Sequence, residues 1–410
     1  MSRLRITAGT YDYDLVVAGA GVAGVAAALE AARSGLKVAL VEKTILPGGL
    51  ATSGLINIYL PLCDGRGRQV TFGIAEELLL LSLKFGPGQV PADWRQAGCG
   101  ATRSRYRCVF SPASFVLALD EVLEEADVAL WYDTLICGAV RKAGRLTAIE
   151  VENKSGRALF RAAAFVDATG DADVAFQAGA ECAEGLNRLS IWGTEASMEG
   201  ARRALAEGDG LPLMGGFRLG GDNVGRNAPA HLPPYRGTDA ADVTKFVLEG
   251  RRLLREHYQR EQAALGQSGR SDLFPVTLPS MAQFRTTRRI AGRATLATGQ
   301  EEKESPDSIG LAPDWRKAGP VWEIPYGALV PRNVRGLLAA GRCLSSEQDA
   351  WEVTRVIPVA ALTGQAAGVA ATLAVKGGTT PDRIEPEAVQ AGMRFRGIPC
   401  RRDDLSRKSP

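Results

Sequence analysis

The 410-residue sequence contains only two histidines, His231 and His257, and neither stands near a cysteine. Histidine and cysteine are the usual protein ligands of zinc and of many transition metals, so a metal site is not expected. The seven cysteines are odd in number and include no CxxC pair. Cysteines without a disulfide framework are typical of proteins in a reducing compartment, and a cytoplasmic location is therefore expected.

A strong charge of one sign is also lacking, because 49 Lys and Arg oppose 46 Asp and Glu for a formal net charge of +3. Nucleic-acid-binding domains usually carry a marked positive excess, and so neither a nucleic-acid partner nor a charged membrane surface is expected. Residues 356–375 carry no charge and are long enough to cross a bilayer. They consist mostly of Ala, Gly, Thr and Val, which favours a helix buried inside the protein over a membrane span.

Glycine is abundant, with 47 residues, and its placement is informative. Residues 19–24 read GAGVAG, between a strand pattern at 13–18 and an Ala-rich helix pattern at 22–33. A GxGxxG turn in this position allows a tight turn, lets a pyrophosphate approach the backbone and permits close helix–strand packing. A carboxylate at the end of the next strand can accept hydrogen bonds from ribose hydroxyls. The residues predicted to contact a dinucleotide are Gly19, Gly21, Gly24 and Glu42.

A second glycine-rich segment, LPGGLATSG at residues 46–54, follows directly after Glu42. A nicotinamide dehydrogenase does not need such a segment there, whereas FAD continues past its pyrophosphate through a ribityl chain and a ring. The segment therefore favours FAD over NAD. No second GxGxxG follows a strand, so a separate NAD(P)H domain is not expected, and the lack of a cysteine pair after Gly49 argues against disulfide reductase chemistry.

Hydrophobic periodicity predicts an α/β fold whose first strands and helix form a βαβ unit. Further helices are predicted at residues 72–85, 114–126, 242–265 and 358–375. Strands are predicted at 128–132, 135–141, 146–152, 158–166 and 337–340, the middle ones forming a β-meander. Residues 181–240 are rich in glycine and proline and show little periodicity.

Several longer motifs accompany the two glycine turns: DATGDAD at 167–173, FRTTRRIAG at 284–292, PDSIG at 306–310, WEIPYGALVP at 322–331, GLLAAGRCLSS at 336–346 and RVIPVAALTGQAAGVAA at 355–371. On these motifs the chain resembles the FAD-dependent oxidoreductases with a glutathione-reductase-like FAD domain, in particular their bacterial branch. The resemblance implies a Rossmann-like FAD-binding domain, FAD and redox chemistry. It does not name a substrate, because many reactions use this scaffold.

The resemblance also implies how the chain is divided. The FAD domain is expected to combine residues 1–60, 110–180 and 330–380, and residues 61–109 and 181–329 to form a mixed α+β substrate cap. Residues 381–410 are expected to form a C-terminal segment with a frayed tail. The family directs the N-terminus of the last long helix at the flavin pyrimidine ring. The further cofactor residues implied are Lys43, Gly48, Gly49, Thr52, Thr169, Gly170, Gly341, Arg342, Arg355 and Gly364.

The favoured function is oxidation or dehydrogenation of a small organic substrate by hydride transfer to the flavin, with oxygen, a quinone or another protein as acceptor. A flavin monooxygenase, a double-bond reductase and a non-catalytic FAD-binding module are the alternatives. The family often has a histidine after GRCLSS, where this chain has Glu347-Gln348-Asp349. A catalytic base is therefore not assigned. The candidates for catalysis are Arg288, Arg289, Tyr326, Asp349, His231 and His257.

Two arginine groups could hold an anionic substrate group. Residues 281–293 contain Arg285, Arg288, Arg289 and Arg293 and no acid. If this stretch is helical, three of the arginines share a face and could hold a substrate carboxylate or the flavin pyrimidine oxygens. A solvated face is the alternative. The second group, Arg103, Arg105 and Arg107, alternates as the residues on one side of a strand do.

Overall fold

The computed structural model describes residues 7–92, 105–222 and 226–406. The helices are α1 (Val22–Arg33), α2 (Ile74–Ser82), α3 (Pro112–Glu125), α4 (Asp173–Gln177), α5 (Met198–Glu207), α6 (Ala240–Ala264), α7 (Gly269–Asp272), α8 (Gln348–Thr354), α9 (Ile357–Lys376), α10 (Pro386–Phe395) and α11 (Arg402–Ser406). The strands are β1 (Thr7–Ala18), β2 (Val38–Val41), β3 (Ile58–Tyr59), β4 (Cys108–Val109), β5 (Ala129–Trp131), β6 (Leu135–Lys142), β7 (Arg145–Asn153), β8 (Gly156–Asp167), β9 (Cys182–Glu184), β10 (Ser190–Ser197), β11 (Gly215–Gly220), β12 (Leu273–Thr277), β13 (Arg288–Ile290), β14 (Ser308–Pro313), β15 (Val321–Pro325) and β16 (Leu337–Ala339).

The main sheet is organised around β8, which has different neighbours along its length. On one side it pairs in parallel with β1, and β2 and β5 continue the parallel sheet beyond β1. On the other side, its first half pairs antiparallel with β7 and its second half pairs in parallel with β16. The α/β prediction and the β-meander β6–β7–β8 are thereby confirmed. The parallel strands all end at one edge, the edge at which such sheets bind ligands.

Helices α1 and α9 pack closely against each other through small residues. A Cβ atom added to Gly364 would lie 2.0 Å from the carbonyl oxygen of Ala23, and one added to Gly368 would lie 2.7 Å from that of Ala27. Both glycines are therefore required by this helix crossing. Packing of α9 against α1 is therefore sufficient to explain the glycine at position 364, whether or not Gly364 also approaches the cofactor.

Among the described residues, α9 is the one helix that is long and apolar enough to cross a membrane. Of its most apolar stretch, 94% is buried inside the protein. A buried core helix meets the same criteria of length and composition, and α9 is packed as one, against α1, α2 and α10.

The weakly periodic stretch at residues 181–240 contains more regular structure than its sequence indicates. Strands β10 and β11 pair antiparallel, β12 joins β10 from the other side, and the long helix α6 packs against this small sheet. The expectation of a frayed tail is wrong as far as residue 406. Helix α11 forms there, Leu405 is 7% exposed, and the amide of Arg402 donates a 3.0 Å hydrogen bond to Glu323 Oε1.

Candidate dinucleotide site

The predicted cofactor motifs meet at the carboxyl edge of the parallel sheet. The GAGVAG turn follows β1, Glu42 follows β2, the DATGDAD segment follows the end of β8, and Gly341 comes soon after β16. They are far apart in sequence but each continues from a parallel strand, and the ends of neighbouring parallel strands lie side by side. The topology therefore explains why these motifs form one site.

The three glycines of the first turn have different reasons for being glycine. Gly19 has a φ of +89°, and a Cβ there would lie 2.7 Å from the Ala168 carbonyl oxygen. A Cβ on Gly24 would lie 1.8 Å from the carbonyl oxygen of Gly19. Gly21 has a φ of −63°, and the nearest described atom to its Cβ would be 3.9 Å away. The fold thus requires Gly19 and Gly24, whereas the space beside Gly21 is left for a ligand.

Helix α1 begins directly after Gly21 and presents its first amides to that space. Among the described residues no side chain caps this end of the helix, and its first turn contains no acidic residue. Uncapped N–H groups and the positive end of the helix dipole attract phosphate. The residues present here therefore fit a pyrophosphate.

Glu42 is 8% exposed and stands beside the first turn. Its Oε2 accepts a 2.9 Å hydrogen bond from the amide of Ala20, and its Oε1 accepts hydrogen bonds from the amide and hydroxyl of Thr44 at 2.9 and 3.0 Å. An ionised carboxylate has about four acceptor positions, so capacity remains for a ribose hydroxyl. Lys43, the next residue, is exposed.

Substitution of Glu42 by alanine is expected to weaken FAD binding by about 1–3 kcal/mol, through the loss of charge-assisted hydrogen bonds to the ribose. Calorimetric titration of the apoprotein with FAD measures the change. Substitution of the exposed Lys43 by glutamine serves as the control beside it. Unchanged FAD affinity in Glu42→Ala would contradict the assignment of the ribose site.

The second glycine turn packs directly on the first. The amide of Gly48 donates a 2.7 Å hydrogen bond to the carbonyl oxygen of Ala20, and a Cβ on Gly49 would lie 3.1 Å from the Cα of Gly21. The hydroxyl of Thr52 donates to the carbonyl oxygen of Pro47 at 2.5 Å. Thr52 therefore stabilises the second glycine turn. The two glycine turns are in direct contact and form one continuous surface.

Asp167, at the end of β8, organises the loop that carries Thr169 and Gly170. Its Oδ1 accepts hydrogen bonds from the amide and hydroxyl of Thr169 at 3.1 and 2.7 Å, and its Oδ2 accepts one from the amide of Ala175 at 2.8 Å. The carboxyl group is fully buried, and this burial raises its pKa to about 6 despite these hydrogen bonds.

The raised pKa predicts a pH dependence of stability. Folded Asp167 binds its proton more tightly than the unfolded chain does, so its contribution is complete below the ordinary value of 3.8 and is lost as the pH rises through about 6. Wild-type protein is expected to lose stability relative to Asp167→Asn across this interval. Urea unfolding of both proteins over a pH series measures the difference, and parallel profiles would contradict it.

Arg342 joins three segments at the edge of the site. Its Nε donates to the carbonyl oxygen of Gly170 at 2.7 Å, its Nη1 to that of Phe284 at 2.6 Å, and its Nη2 to Asp171 Oδ1 at 2.6 Å. Each guanidinium nitrogen therefore has a protein partner. Arg342 positions the loop after β8, and a cofactor contact would be additional to this role.

Residues 280–287 connect the second glycine turn with the loop that follows β8. The amide of Ser280 donates to the carbonyl oxygen of Ser53 at 2.9 Å, the side chain of Gln283 donates to that of Gly54, and the hydroxyl of Thr287 donates to Asp171 at 2.6 Å. Sequence analysis did not identify Gln283, which also accepts a hydrogen bond from the amide of Trp192. The sequence feature that could have indicated Gln283 is its position directly before the FRTTRR motif.

Residues 281–293 do not form the helix that a shared arginine face would require, because Arg288–Ile290 form strand β13, which pairs with β9. Arg288 Nη1 lies 3.5 Å from Asp173 Oδ1, and Arg289 Nη2 lies 3.1 Å from Glu347 Oε2. Both arginines thus have carboxylate partners and do not form a shared face with Arg285 or Arg293. Of the second arginine group, Arg103 lies outside the described residues, and Arg105 is buried and donates to several backbone carbonyls.

A different set of cations forms near the start of α9: Arg218, Arg285 and Arg355, which we call the arginine cluster. Arg218 Nη2 and Arg285 Nη1 both lie 3.4 Å from the carbonyl oxygen of Gly221. Burial, followed by the positive charges of Arg355 and Arg218, lowers the pKa of Arg285 to about 10. Arg285 remains protonated at neutral pH.

Two acids lie near the arginine cluster. Glu352 is paired with Arg355, and the charges of Glu352 and Asp222 partly oppose the lowering of the pKa of Arg285. The Nε atom of Arg355 is buried and has no hydrogen-bond partner among the described residues. Arg355 precedes the first residue of α9 by two positions, and no described side chain caps that end of the helix. The charges of Arg355 and Arg218 act on Arg285, so the cluster forms a cationic region beside the start of α9, which is favourable for an anion.

The predicted catalytic candidates are held by partners outside the two glycine turns. Tyr326 is 3% exposed and donates to the carbonyl oxygen of Pro381 at 2.7 Å, and burial raises the pKa of its hydroxyl. Asp349 Oδ1 lies 2.7 Å from Arg316 Nη1.

The two histidines lie within residues 181–329, the stretch expected to form the substrate cap. His231 is exposed, and His257 lies on α6 with its Nε2 3.9 Å from Glu195 Oε2. The described residues contain no group of three or more His, Cys, Asp and Glu arranged to hold a metal ion.

The parallel sheet, the GxGxxG turn on an uncapped helix and the carboxylate after the second strand together define a dinucleotide-binding protein of the Rossmann type. The sequence pattern of the FAD dependent oxidoreductase family matches residues 14–200 and 217–393. The chain belongs to this family, and FAD is its cofactor. The space beside Gly21, the free amides of α1 and the remaining acceptor capacity of Glu42 fit the pyrophosphate and ribose of FAD.

A curated relative is the thioredoxin reductase of Ureaplasma parvum serovar 3, which is 41% identical over 73 residues. The match covers 18% of this chain and about a quarter of that relative's length. The p-nitrophenol 4-monooxygenase from Pseudomonas putida DLL-E4 has a similar structure, with a TM-score of 0.51 and 12% identity over 93% of this chain and 83% of its own. A geranylgeranyl bacteriochlorophyll reductase-like protein from Thermoplasma acidophilum gives a TM-score of 0.44 and 14% identity over 94% and 83%. At 12% identity the Pseudomonas putida structure indicates a shared fold alone.

Proposed function

We propose that this protein is a dehydrogenase or oxidase of a small organic anion, in which the arginine cluster receives the anionic group. The observation that carries the proposal is the convergence of Arg285, Arg355 and Arg218 beside the uncapped N-terminus of α9. Guanidinium groups form planar, paired hydrogen bonds with carboxylates. Lysine would keep the charge but lose this geometry.

The chain's own residues would position cofactor and substrate. The amides at the start of α1 would hold the pyrophosphate of FAD and Glu42 would accept hydrogen bonds from its ribose, with the second glycine turn beside them. FAD, when bound, supplies the ring that accepts a hydride. Residues 280–287 cover the edge, and the hydrogen bonds of Ser280 and Gln283 to Ser53 and Gly54 connect the cap to the second glycine turn.

The start of α9 also has an electrostatic role in this proposal. A helix N-terminus favours negative charge by about 0.3–2 kcal/mol, depending on burial. Arg355, two residues before the first residue of α9, adds a positive charge that its ion pair with Glu352 partly offsets. This end of α9 would favour negative charge on a reduced cofactor ring, and it would likewise favour an anionic substrate group near Arg285.

The main alternative is a monooxygenase, because one structure of similar fold is named as p-nitrophenol 4-monooxygenase. A dehydrogenase or oxidase has its flavin reduced by the substrate itself, whereas a monooxygenase flavin is reduced by a separate donor. A double-bond reductase also requires a separate donor.

We propose a cytoplasmic location. The described cysteines, none of which is in a disulfide, support it. We propose that the electron acceptor is oxygen, a quinone or a protein.

The experiment is anaerobic mixing of FAD-loaded protein with a panel of small carboxylates, hydroxy acids and amino acids, each paired with its neutral amide. Absorbance of the flavin reports its reduction. Bleaching by an acid and not by its amide supports the proposal. Bleaching by NADH or NADPH alone, with none by any organic acid, would favour the monooxygenase or reductase, and no bleaching by any donor would favour a non-catalytic module.

A further inference from the structure

A second cationic site lies at the far end of α9 from the arginine cluster. A cavity of about 430 Å³ is bordered by the β6–β7 hairpin, by Arg335 before β16 and by the segment that follows α9. Helix α9 contains 20 residues, so the two ends are roughly 30 Å apart at 1.5 Å per residue. The cavity is therefore separate from the FAD site.

Four of the residues that line the cavity are cationic and none is acidic: Lys142, Arg145, Arg335 and Arg383. Arg145 and Arg335 are held by the backbone, through donation to the carbonyl oxygens of Ala163 and Ala143. Lys142 and Arg383 are exposed, and within the described part of the chain neither has an ion-pair partner. Four like charges around one cavity create a positive potential that attracts anions and that water and salt screen only in part.

The end of α9 explains only part of this charge. A helix C-terminus carries a partial charge of roughly −0.5, which favours nearby cations. One cation is sufficient to balance it, and Lys376 already stands in the last turn of α9. The other cations are therefore not accounted for by the helix.

The cavity also contains hydrogen-bonding atoms without partners. Thr380 is 8% exposed, and its hydroxyl oxygen is buried with no hydrogen-bond partner among the described residues. The Nε atom of Arg145 is likewise buried and without a partner. Buried polar groups are normally paired, because an unpaired one costs stability. Thr380 and Arg145 both line the cavity, so two of its lining residues carry polar atoms that no described residue pairs.

From this charge and these unpaired atoms we propose that the cavity binds a compact anion with two or more phosphate groups. Its volume lies within the roughly 300–1,000 Å³ of small-molecule sites. The lining contains no aromatic and no large apolar side chain on which a nucleobase could stack. Arginine and lysine together with a hydroxyl are the groups that bind phosphate oxygens. The chemistry therefore favours a phosphorylated metabolite without an aromatic ring.

The test is calorimetric titration of FAD-loaded protein with inorganic pyrophosphate, in parallel with citrate and with a short DNA duplex. Saturable pyrophosphate binding, weakened at least tenfold in Lys142→Gln/Arg383→Gln, is expected. Lys245→Gln/Arg255→Gln, which removes two exposed cations from α6, is the charge-matched control and should bind as wild type. Binding should also persist in Arg285→Gln, which excludes the arginine cluster as its location. Tighter binding of citrate or DNA, or no effect of the double substitution, would overturn the proposal.

Thr380→Val gives a second, independent readout, because it removes the unpaired hydroxyl while keeping the shape of the side chain. Without pyrophosphate the variant should unfold at the same temperature as wild type or higher. With pyrophosphate, its affinity should fall at least threefold and the ligand-induced rise in unfolding temperature should shrink. Wild-type affinity in this variant would contradict the assignment of Thr380 to the site. FAD content, measured on the same samples, reports separately on the FAD site.

Discussion

Substitution of Gly21 by valine is expected to abolish FAD retention while the FAD-free protein still folds. Gly21 has an ordinary negative φ, and its nearest neighbour would lie 3.9 Å from an added Cβ, so the backbone accepts a side chain there. A branched side chain would occupy the space that the pyrophosphate needs beside the amides of α1. We expect the affinity for FAD to fall at least a hundredfold, or ~2.7 kcal/mol.

The matched control is Gly24→Ala, three residues further along the same turn. A Cβ there would lie 1.8 Å from the carbonyl oxygen of Gly19, so this variant should lose folding stability with or without FAD. Circular dichroism melting of the apoproteins and fluorescence titration with FAD separate the two effects. The site would be assigned wrongly if Gly21→Val bound FAD as tightly as wild type.

Substitution of Arg285 by glutamine is expected to lower kcat/KM for an anionic substrate by about tenfold or more, which is ~1.4 kcal/mol. Burial, and after it the charges of Arg355 and Arg218, lower the pKa of its guanidinium. A bound anion would stabilise all three charges. The effect should appear mainly in KM, and FAD content should stay unchanged because the residue is placed at the substrate rather than at the pyrophosphate.

Arg288→Gln and Arg289→Gln are the controls for this prediction. Each of these arginines is paired with a carboxylate on its own side of β13, namely Asp173 and Glu347. Their substitution should reduce folding stability and leave KM near the wild-type value. Steady-state kinetics with the acid identified by anaerobic bleaching measures all three variants. A loss confined to Arg288 or Arg289 would mean that the arginine cluster does not receive the substrate.

The parts of the fold that depend on local chemistry could be predicted from the sequence. The GAGVAG turn and the strands of the β-meander have backbone conformations that residues adjacent in sequence determine. The helix predicted at residues 114–126 forms over residues 112–125, and the hydroxyl of Ser111 accepts a hydrogen bond from the amide of Ser114 at its start.

The remaining parts depend on contacts between distant segments. Residues 288–290 could not be recognised as a strand, because β13 has only three residues and pairs with β9 about a hundred positions earlier. The arginine cluster combines residues from three separate segments: Arg285 lies in the FRTTRRIAG motif, Arg355 was among the predicted cofactor residues, and Arg218 belonged to no motif. Arg218 lies on β11, within the stretch that showed little periodicity. No spacing rule relates such residues, and only the folded chain brings them together.

The most direct test of the central claim is identification of the chromophore released by acid from purified protein after reconstitution with FAD. If the two glycine turns and Glu42 form the FAD site, mass spectrometry should find FAD, non-covalently held and close to one per chain. Release of FMN or NAD instead, or the failure of the folded protein to retain FAD, would contradict the claim.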